Sequence, residues 1–402
     1  MLKVSLFCAT ISLIAIHSAH LSAPGIPQIL NDKSNLITPT VIGGNENGRM
    51  VAWAGGQSEE VYAIFTPNNG NEWGPVRILD STPDLKFYPW VSAGPSGFLV
   101  TWVEAGQNVS VVSRFYDNSS GWNNQSELFT ASTPSWVTWP ISASNQQGYL
   151  VVFVSQASTP SCLVQFSSNG TTFSNATSLN LGQDGGLPVV AGNDFGFMVV
   201  WYSGSQNDNF FYSSLSTDEG DTWSQNPYLV ANLNVTQPVR PTIAANENGF
   251  MVAWTNNSND AYASFFQNGG STWSEPYLIA QNLLSGTVSN VTLSGTSLGF
   301  VASWIDAEMN GYASFSSDNG ITWSTPVLVT GNRSVSNAQT IQDDLVGVSA
   351  VQDQCMFIWT SNIGQNQNYP LFNTATIISP LNSNGSTFYK QISPLKPNKG
   401  LF

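Results

Sequence analysis

Three carboxylates fall within four positions of the stretch STDEGDTWS: Asp218, Glu219 and Asp221, with Trp223 two residues further on. Acids this close together can hold a calcium ion or work as a general acid–base pair, and the same run can equally be a polar turn. The remaining side chains narrow the choice of chemistry. The two His residues, His17 and His20, lie in or beside an N-terminal apolar segment, so the body of the chain offers none. A Ser-His-Asp triad, a Cys–His pair and a His-ligated zinc are therefore excluded. Cys162 and Cys355 carry no motif around them and read as buried thiols or as one disulfide. No cofactor and no metal is expected.

Composition bounds the partners. Charged residues make up only 9% of the 402, with 11 basic side chains and a formal charge of −14. Such a chain repels phosphate backbones and anionic lipid heads, so nucleic acid is not expected as a partner. The first residues, MLKVSLFCATISLIAIHSAHLSA, place one Lys before an apolar run from Val4 to Ile16 and then small and polar residues. That order is a signal peptide pattern, too short for a membrane span, with cleavage expected between Ser18 and Ala23. The expected organisation is a leader at 1–23 and a single domain over 24–402, secreted or held at the cell surface, with no membrane span. Ten N-x-[ST] sequons are further surface marks in a secretory eukaryotic host.

The elements that must position any site repeat. RPTIAANENGFMVAWTNN (240–257) resembles TPTVIGGNENGRMVAWAGG (38–56), and LPVVAGNDFGFMVVWYSG (187–204) resembles both. Each unit holds an extended run, a Gly turn and a second run ending in an aromatic: Trp53, Trp102, Phe153, Trp201, Trp254, Trp304 and Trp359. A second series follows about twenty residues later, at Trp73, Trp122, Phe173, Trp223, Trp273 and Trp323, with Phe388 after a longer gap. Within a unit the runs are short, rich in β-branched and aromatic residues, and bounded by Gly, Asn, Asp and Pro. Four strands per unit of about fifty residues predict an all-β fold: a β-propeller of four-stranded antiparallel blades. Seven blades is the expected count, with six as the alternative because the last unit is stretched. IPQIL (26–30) and FYKQIS (388–393) compete to supply the strand that closes the ring.

The opening stretch now has a place, as the turn between third and fourth strands. Ser216, Asp218, Gly220 and Trp223 recur one hundred residues later as Ser316, Asp318, Gly320 and Trp323. FQNGGSTW and TPNNGNEW keep the Gly and Trp without the Asp, and YDNSSGW, SSNGTTF and SNGSTF are weaker copies. The pattern S-x-D-x-G-x-x-W resembles the Asp-box, or BNR repeat, of sialidase-like propellers. The physics agrees with a structural turn: Asp and Ser accept backbone N–H bonds, Gly supplies a positive φ, and Trp buries a ring between sheets. The resemblance implies that these turns lie on the face away from the active site.

Strand alternation then puts the second-to-third loops and the blade connections on the opposite, funnel face. Its candidate ligand contacts are Arg240, Arg333, Lys86, Glu104, Asp306, Glu308, Trp136 and Trp139, with Tyr88 and Trp90 as further aromatics. Aromatics beside carboxylates suit a sugar, whose apolar face stacks on a ring. A sialidase, as the resemblance implies, needs three Arg, a Tyr–Glu pair and an Asp. Of five Arg, Arg49 falls on the turn face, Arg77 and Arg114 lie in strands, and only Arg240 and Arg333 reach the funnel. The early F-R-I-P-type motif is missing too; VRIL (76–79) sits in a fourth strand. The scaffold therefore carries over and the catalytic set does not. The reading is a secreted propeller that binds a glycan or an extracellular protein through the funnel. Other hydrolases built on Asp-box propellers use paired carboxylates, for which Glu104 with Asp306 or Glu308 could serve. The alternatives are a sialidase-type glycoside hydrolase with a diverged site and a structural surface protein.

Overall fold

The computed structural model describes residues 19–24, 28–29, 40–55, 60–132, 136–137, 139–156, 161–179, 185–204, 209–233, 239–283, 291–331, 347–362 and 368–378. They form a β-propeller of seven antiparallel blades, each built around four strands. Blade 1 runs Val41–Asn45, Gly48–Gly55, Glu60–Thr66 and Arg77–Asp80. Blade 4, a second full example, runs Gly185–Asn193, Gly196–Gly204, Asn209–Ser216 and Tyr228–Asn232. The first strands contact one another in ring order, and that of blade 7 (Gly347–Val351) meets that of blade 1, so the ring is closed.

Burial of the sheet faces follows from this arrangement, because a blade covers its apolar faces only with its neighbours. The second strand of blade 5, GFMVAWT (Gly249–Thr255), is buried at every position. The seven aromatics at the ends of the second strands are all in the core, from 0% exposed at Trp53 and Trp359 to 4% at Trp254 and Trp304. Burying a residue of this size contributes about 3 kcal/mol or more.

The N-x-x-G turns between first and second strands fasten blade to blade. Asn193 Oδ1 accepts from the backbone N–H groups of Phe195 and Gly196, while its Nδ2 donates to Asn246 O of blade 5 at 2.9 Å. Asn45 does the same between blades 1 and 2, donating to Gly94 O at 2.7 Å. The closing Gly is fixed by space: at Gly196, φ 153°, a Cβ would lie 2.1 Å from Ser216 O.

Ring closure is made by the N-terminal segment. His20–Leu21 pairs with Ile378 and Ile377 on the third strand of blade 7 (Asn368–Ile378), and Gln28–Ile29 pairs with Phe372 and Leu371. Ser22 N donates to Thr376 O at 2.7 Å, and Leu21 is 3% exposed among Val301, Ile305 and Phe315 of blade 6 and Ile377 of blade 7. Of the two segments competing for this place, 26–30 thus supplies one of the pairing pieces; FYKQIS and Phe388 lie outside the described residues. On the turn face Arg49 adds a bridge, donating to Gly48 O at 3.3 Å in its own blade and to Gln354 O of blade 7 at 3.0 Å. Burial brings its guanidinium down to about 10, so it stays charged at neutral pH with carbonyl oxygens as its acceptors. Cys162 in blade 3 and Cys355 in blade 7 are separate buried thiols, which removes the disulfide alternative.

The third-to-fourth turns of blades 4, 6 and 1 share one hydrogen-bond scheme. Ser216 Oγ donates to Asp218 Oδ1 at 2.8 Å and accepts from Gly220 N at 2.9 Å, while Asp218 Oδ1 accepts from Thr222 N at 2.9 Å. Ser316, Asp318, Gly320 and Thr322 repeat it bond for bond. Blade 1, which lacks the Asp, builds the same turn: Gly70 N donates to Thr66 Oγ1 and Glu72 N to Asn68 Oδ1. Any Oγ and any Oδ1 at these two places suffice, so the copy that looks degenerate in sequence is intact in structure. Hydrogen bonds from Thr222, outweighing a small burial effect, hold the Asp218 carboxyl below its usual range.

In blade 2 the side chain of Ser119, with the backbone of Ser120 and Ser119, holds Asp117 down at about 2. A carboxylate whose folded value is depressed contributes stability above its ordinary value near 4 and loses it as pH falls toward 2. Thermal unfolding of the wild type and of Asp117→Ala should therefore differ at pH 5 and converge near pH 2, as followed by circular dichroism.

Candidate functional site

Four consecutive blades carry a residue followed by Pro at or near the start of the first strand: Tyr88-Pro89, Trp139-Pro140, Leu187-Pro188 and Arg240-Pro241. Pro140 and Pro241 immediately precede their strands and Pro89 and Pro188 lie at bulges, places where no ladder hydrogen bond is lost, and each Pro holds the preceding residue away from the helical region. In blades 2 and 4 a bulge accompanies it. The register shifts between Phe87 and Trp90 and again between Gly186 and Val189, and Tyr88 and Leu187 take φ values of 53° and 54°. A bulky aromatic at positive φ is held there by its surroundings, and such strain concentrates at sites that hold a side chain for use.

Three of these residues converge on a cavity of about 190 Å³ at the centre of the ring, whose walls are the first strands of the blades. Trp139 is the hub. Its ring centroid lies 4.5 Å from that of Tyr88, and the Arg240 guanidinium carbon lies 4.3 Å above it. Trp90 stands 6.0 Å from the same guanidinium and is fixed by its Nε1 donating to Ser142 O at 3.0 Å. A guanidinium stacked on indole gains roughly 0.5–2 kcal/mol and keeps its N–H fork in the plane of the group. The rest of the cavity is aliphatic, with Val41, Ile141, Val190, Ile243 and Leu293 among its walls. Among the described lining residues Arg240 is the one cation, and it is set among aromatic rings in a cavity otherwise lined mostly by apolar side chains.

The other expected contacts are placed elsewhere. Lys86 is buried, its Nζ donating to Thr82 O and Thr82 Oγ1 and to Asp84 O, 3.7 Å from Asp80 and 4.0 Å from Glu104. Glu104 accepts from Thr82 Oγ1 at 2.6 Å and from Gln125 Nε2 at 3.4 Å; burial raises its carboxyl. Lys86 and Glu104 together close the start of blade 2, and Lys86 has no surface to offer a ligand. Asp306 accepts from the N–H groups of Glu308 and Asn310, and Asn256 of blade 5 accepts from Ser258 and Asp260 in the same way. An Asn does the same work one blade earlier, so the charge of Asp306 is not what the loop needs. Glu308 is exposed on that loop, and Asp306 and Glu104 each belong to their own loop's hydrogen bonds, in blades 6 and 2. Trp136 is 40% exposed and stands 6.1 Å from Phe87, outside the central cavity. Arg333 lies outside the described residues.

Arg114 joins blade 2 to blade 1, donating to Asn123 O in its own blade and to Leu79 O in blade 1, and Arg77 sits on the rim strand of blade 1. Among the described residues no group of three or more His, Cys, Asp and Glu is placed to hold a metal ion. No described helix is long and apolar enough to cross a membrane. Tyr88 and Trp90 complete the set around Arg240. The sequence signal that finds them together is the repeated residue before Pro at the start of successive blades.

No protein-family model matches the chain, and no curated protein matches it. Among solved structures, a protein of unknown function from Dyadobacter fermentans aligns with a TM-score of 0.52 at 11% identity, over 89% of this chain and 99% of that one. The polysaccharide lyase Uly1 aligns with a TM-score of 0.56 at 10% identity, over 84% of this chain and 89% of that one. Trypanosoma rangeli sialidase aligns at 0.47 and 12% identity, with 75% of this chain spanning 56% of that one. The first two share the fold with this chain, and at such identities the likeness extends to the fold alone.

Proposed function

We propose that this protein is a secreted propeller of the Asp-box kind that binds a carboxylate-bearing glycan at the funnel, as a binding module. The observation that carries the reading is the Arg240 guanidinium stacked 4.3 Å over Trp139 at the mouth of the central cavity. A planar fork matches a carboxylate with two parallel hydrogen bonds, and aromatic rings beside it accept the apolar face of a sugar. Small-molecule pockets run from roughly 300 Å³ upward. The cavity, at about 190 Å³, suits one end of a glycan, with the rest lying on the aromatic rim. Binding is preferred to hydrolysis because the acids expected for hydrolysis have other work. Glu104 is tied into the Lys86 network and Asp306 into its own turn. Protein recognition by the same face is the second form of a binding role and fails the same test.

A glycan array carrying uronate- and sialate-ended chains beside their neutral counterparts tests this reading. Retention of acidic glycans alone is expected, with no turnover on fluorogenic sialosides or uronides. Turnover lost in Arg240→Ala would replace binding by hydrolysis, and an empty array would leave the scaffold role.

The leader is proposed to end before His20, in the near part of its expected range, because cleavage at Ala23 would remove the His20–Leu21 strand that pairs with blade 7. N-terminal sequencing of the secreted protein should give a first residue no later than His20. A start at Pro24 would contradict this closure of the ring.

A further inference from the structure

A second cavity lies away from the funnel, between blades 3 and 4 on the side of the ring, with a volume of about 520 Å³. Its wall from blade 4 carries Trp201, Ser203, Tyr212 and Trp223, with Asp221 at the rim, and blade 3 supplies Ser178. One residue distinguishes this interface from the next. In the next interface, Trp273 of blade 5 reaches across and donates from Nε1 to Ser213 Oγ of blade 4 at 2.9 Å, and is only 8% exposed. Trp223 is the same residue one blade earlier. The register position that Ser213 holds opposite Val200 is held in blade 3 by Val164 opposite Val152. Valine offers no acceptor, and Trp223 instead donates to Gly220 O of its own turn at 3.1 Å. The indole stays half-buried, and the seam that Trp273 fills is left open here.

The lining has the chemistry of a polyol site. Trp223 and Tyr212 supply aromatic surface, and Ser178 and Ser203 supply hydroxyls that both donate and accept. Asp221 supplies a carboxylate that accepts from sugar hydroxyls. Among the described residues, no hydrogen bond engages the side chains of Ser178, Ser203 or Asp221 or the Tyr212 hydroxyl. Asp221 has no counterpart in the sister turns, where Asn71, Thr171, Ser271 and Ile321 stand in its place. Pockets of this size hold small molecules of one or two rings.

We propose that this lateral groove is a second ligand site, independent of Arg240, which takes a neutral pyranose stacked on Trp223 with its hydroxyls bonded to Asp221. A cation would be served by the rings and the single acid and would leave the hydroxyls unused, so a polyol is the better match.

The test uses the full protein labelled with 5-fluorotryptophan and observed by ¹⁹F NMR, the Trp223 signal being assigned by its loss in Trp223→Phe. The probes are the methyl glycosides of glucose, galactose, mannose, xylose and N-acetylglucosamine. At least one should shift the Trp223 signal saturably in the millimolar range typical of a single sugar, about −4 kcal/mol. The shift should survive Arg240→Ala, disappear when Ser178→Phe fills the groove from its exposed blade 3 wall, and need about 5- to 10-fold more sugar in Asp221→Asn, a change on an exposed turn. The proposal is overturned if no glycoside moves the signal, if Ser178→Phe leaves the shift intact, or if tetramethylammonium moves it and the sugars do not. Loss of the shift in Arg240→Ala would place the sugar in the funnel and overturn the lateral site alone.

Discussion

Replacing Arg240 with Ala is expected to weaken binding of an acidic glycan by roughly 30- to 1,000-fold, about 2–4 kcal/mol, with the fold unchanged. The loss has two sources. The bidentate contact to the carboxylate disappears, and the indole of Trp139 loses the cation that covers one of its faces at 4.3 Å. Arg240→Lys separates them. An ammonium keeps the charge but neither forks around a carboxylate nor stacks flat on indole, so about a tenfold loss should remain. Arg240 is partly exposed and opens its strand, so unfolding should shift by no more than about 1 kcal/mol. A variant that loses binding and stability together would mean that Arg240 holds the ring and not a ligand.

The second large effect concerns closure. Leu21→Asp should destabilise the mature protein by about 4 kcal/mol or more, and Leu21→Ala by about 2–4 kcal/mol. Leu21 is 3% exposed between blades 6 and 7, and its strand is the outer edge of the last blade. A carboxylate placed there would be buried in an apolar cluster with Val301, Ile305 and Phe315. Chemical denaturation of the purified secreted protein measures the change. An unaltered midpoint for Leu21→Asp would show that the mature ring closes without this segment.

How much of this was legible in the sequence depends on whether a residue's role repeats. The blades were legible because their aromatics recur at fixed spacing and each must bury itself against the next sheet. The STDEGDTWS turn was legible as a scaffold element because SSDNGITW copies it. The intact turn of blade 1 was not, since Thr66 and Asn68 supply the same oxygen positions under different letters. Arg240 and Trp139 stood out as a cation and an aromatic at the funnel. Lys86 stood out equally and proved buried, because whether a Lys faces solvent or an internal carboxylate is decided by residues such as Asp80 and Thr82 folding back on it. Asp306 looked chemical for want of a comparison with Asn256, which does its work without a charge. The open seam at Trp223 depends on Val164 standing where Ser213 stands one blade later, a difference that acquires meaning only with the blades side by side.

The central claim is that the funnel recognises a carboxylate through Arg240. Calorimetric titration of the wild type and Arg240→Ala with a uronate-ended trisaccharide, and with its methyl ester, tests it most directly. The account predicts binding of the acid by the wild type, with the ester and the variant each weaker by at least about 1.5–2 kcal/mol and no further loss when the two changes are combined. Equal affinity for acid and ester, or a variant that binds as the wild type does, would contradict it.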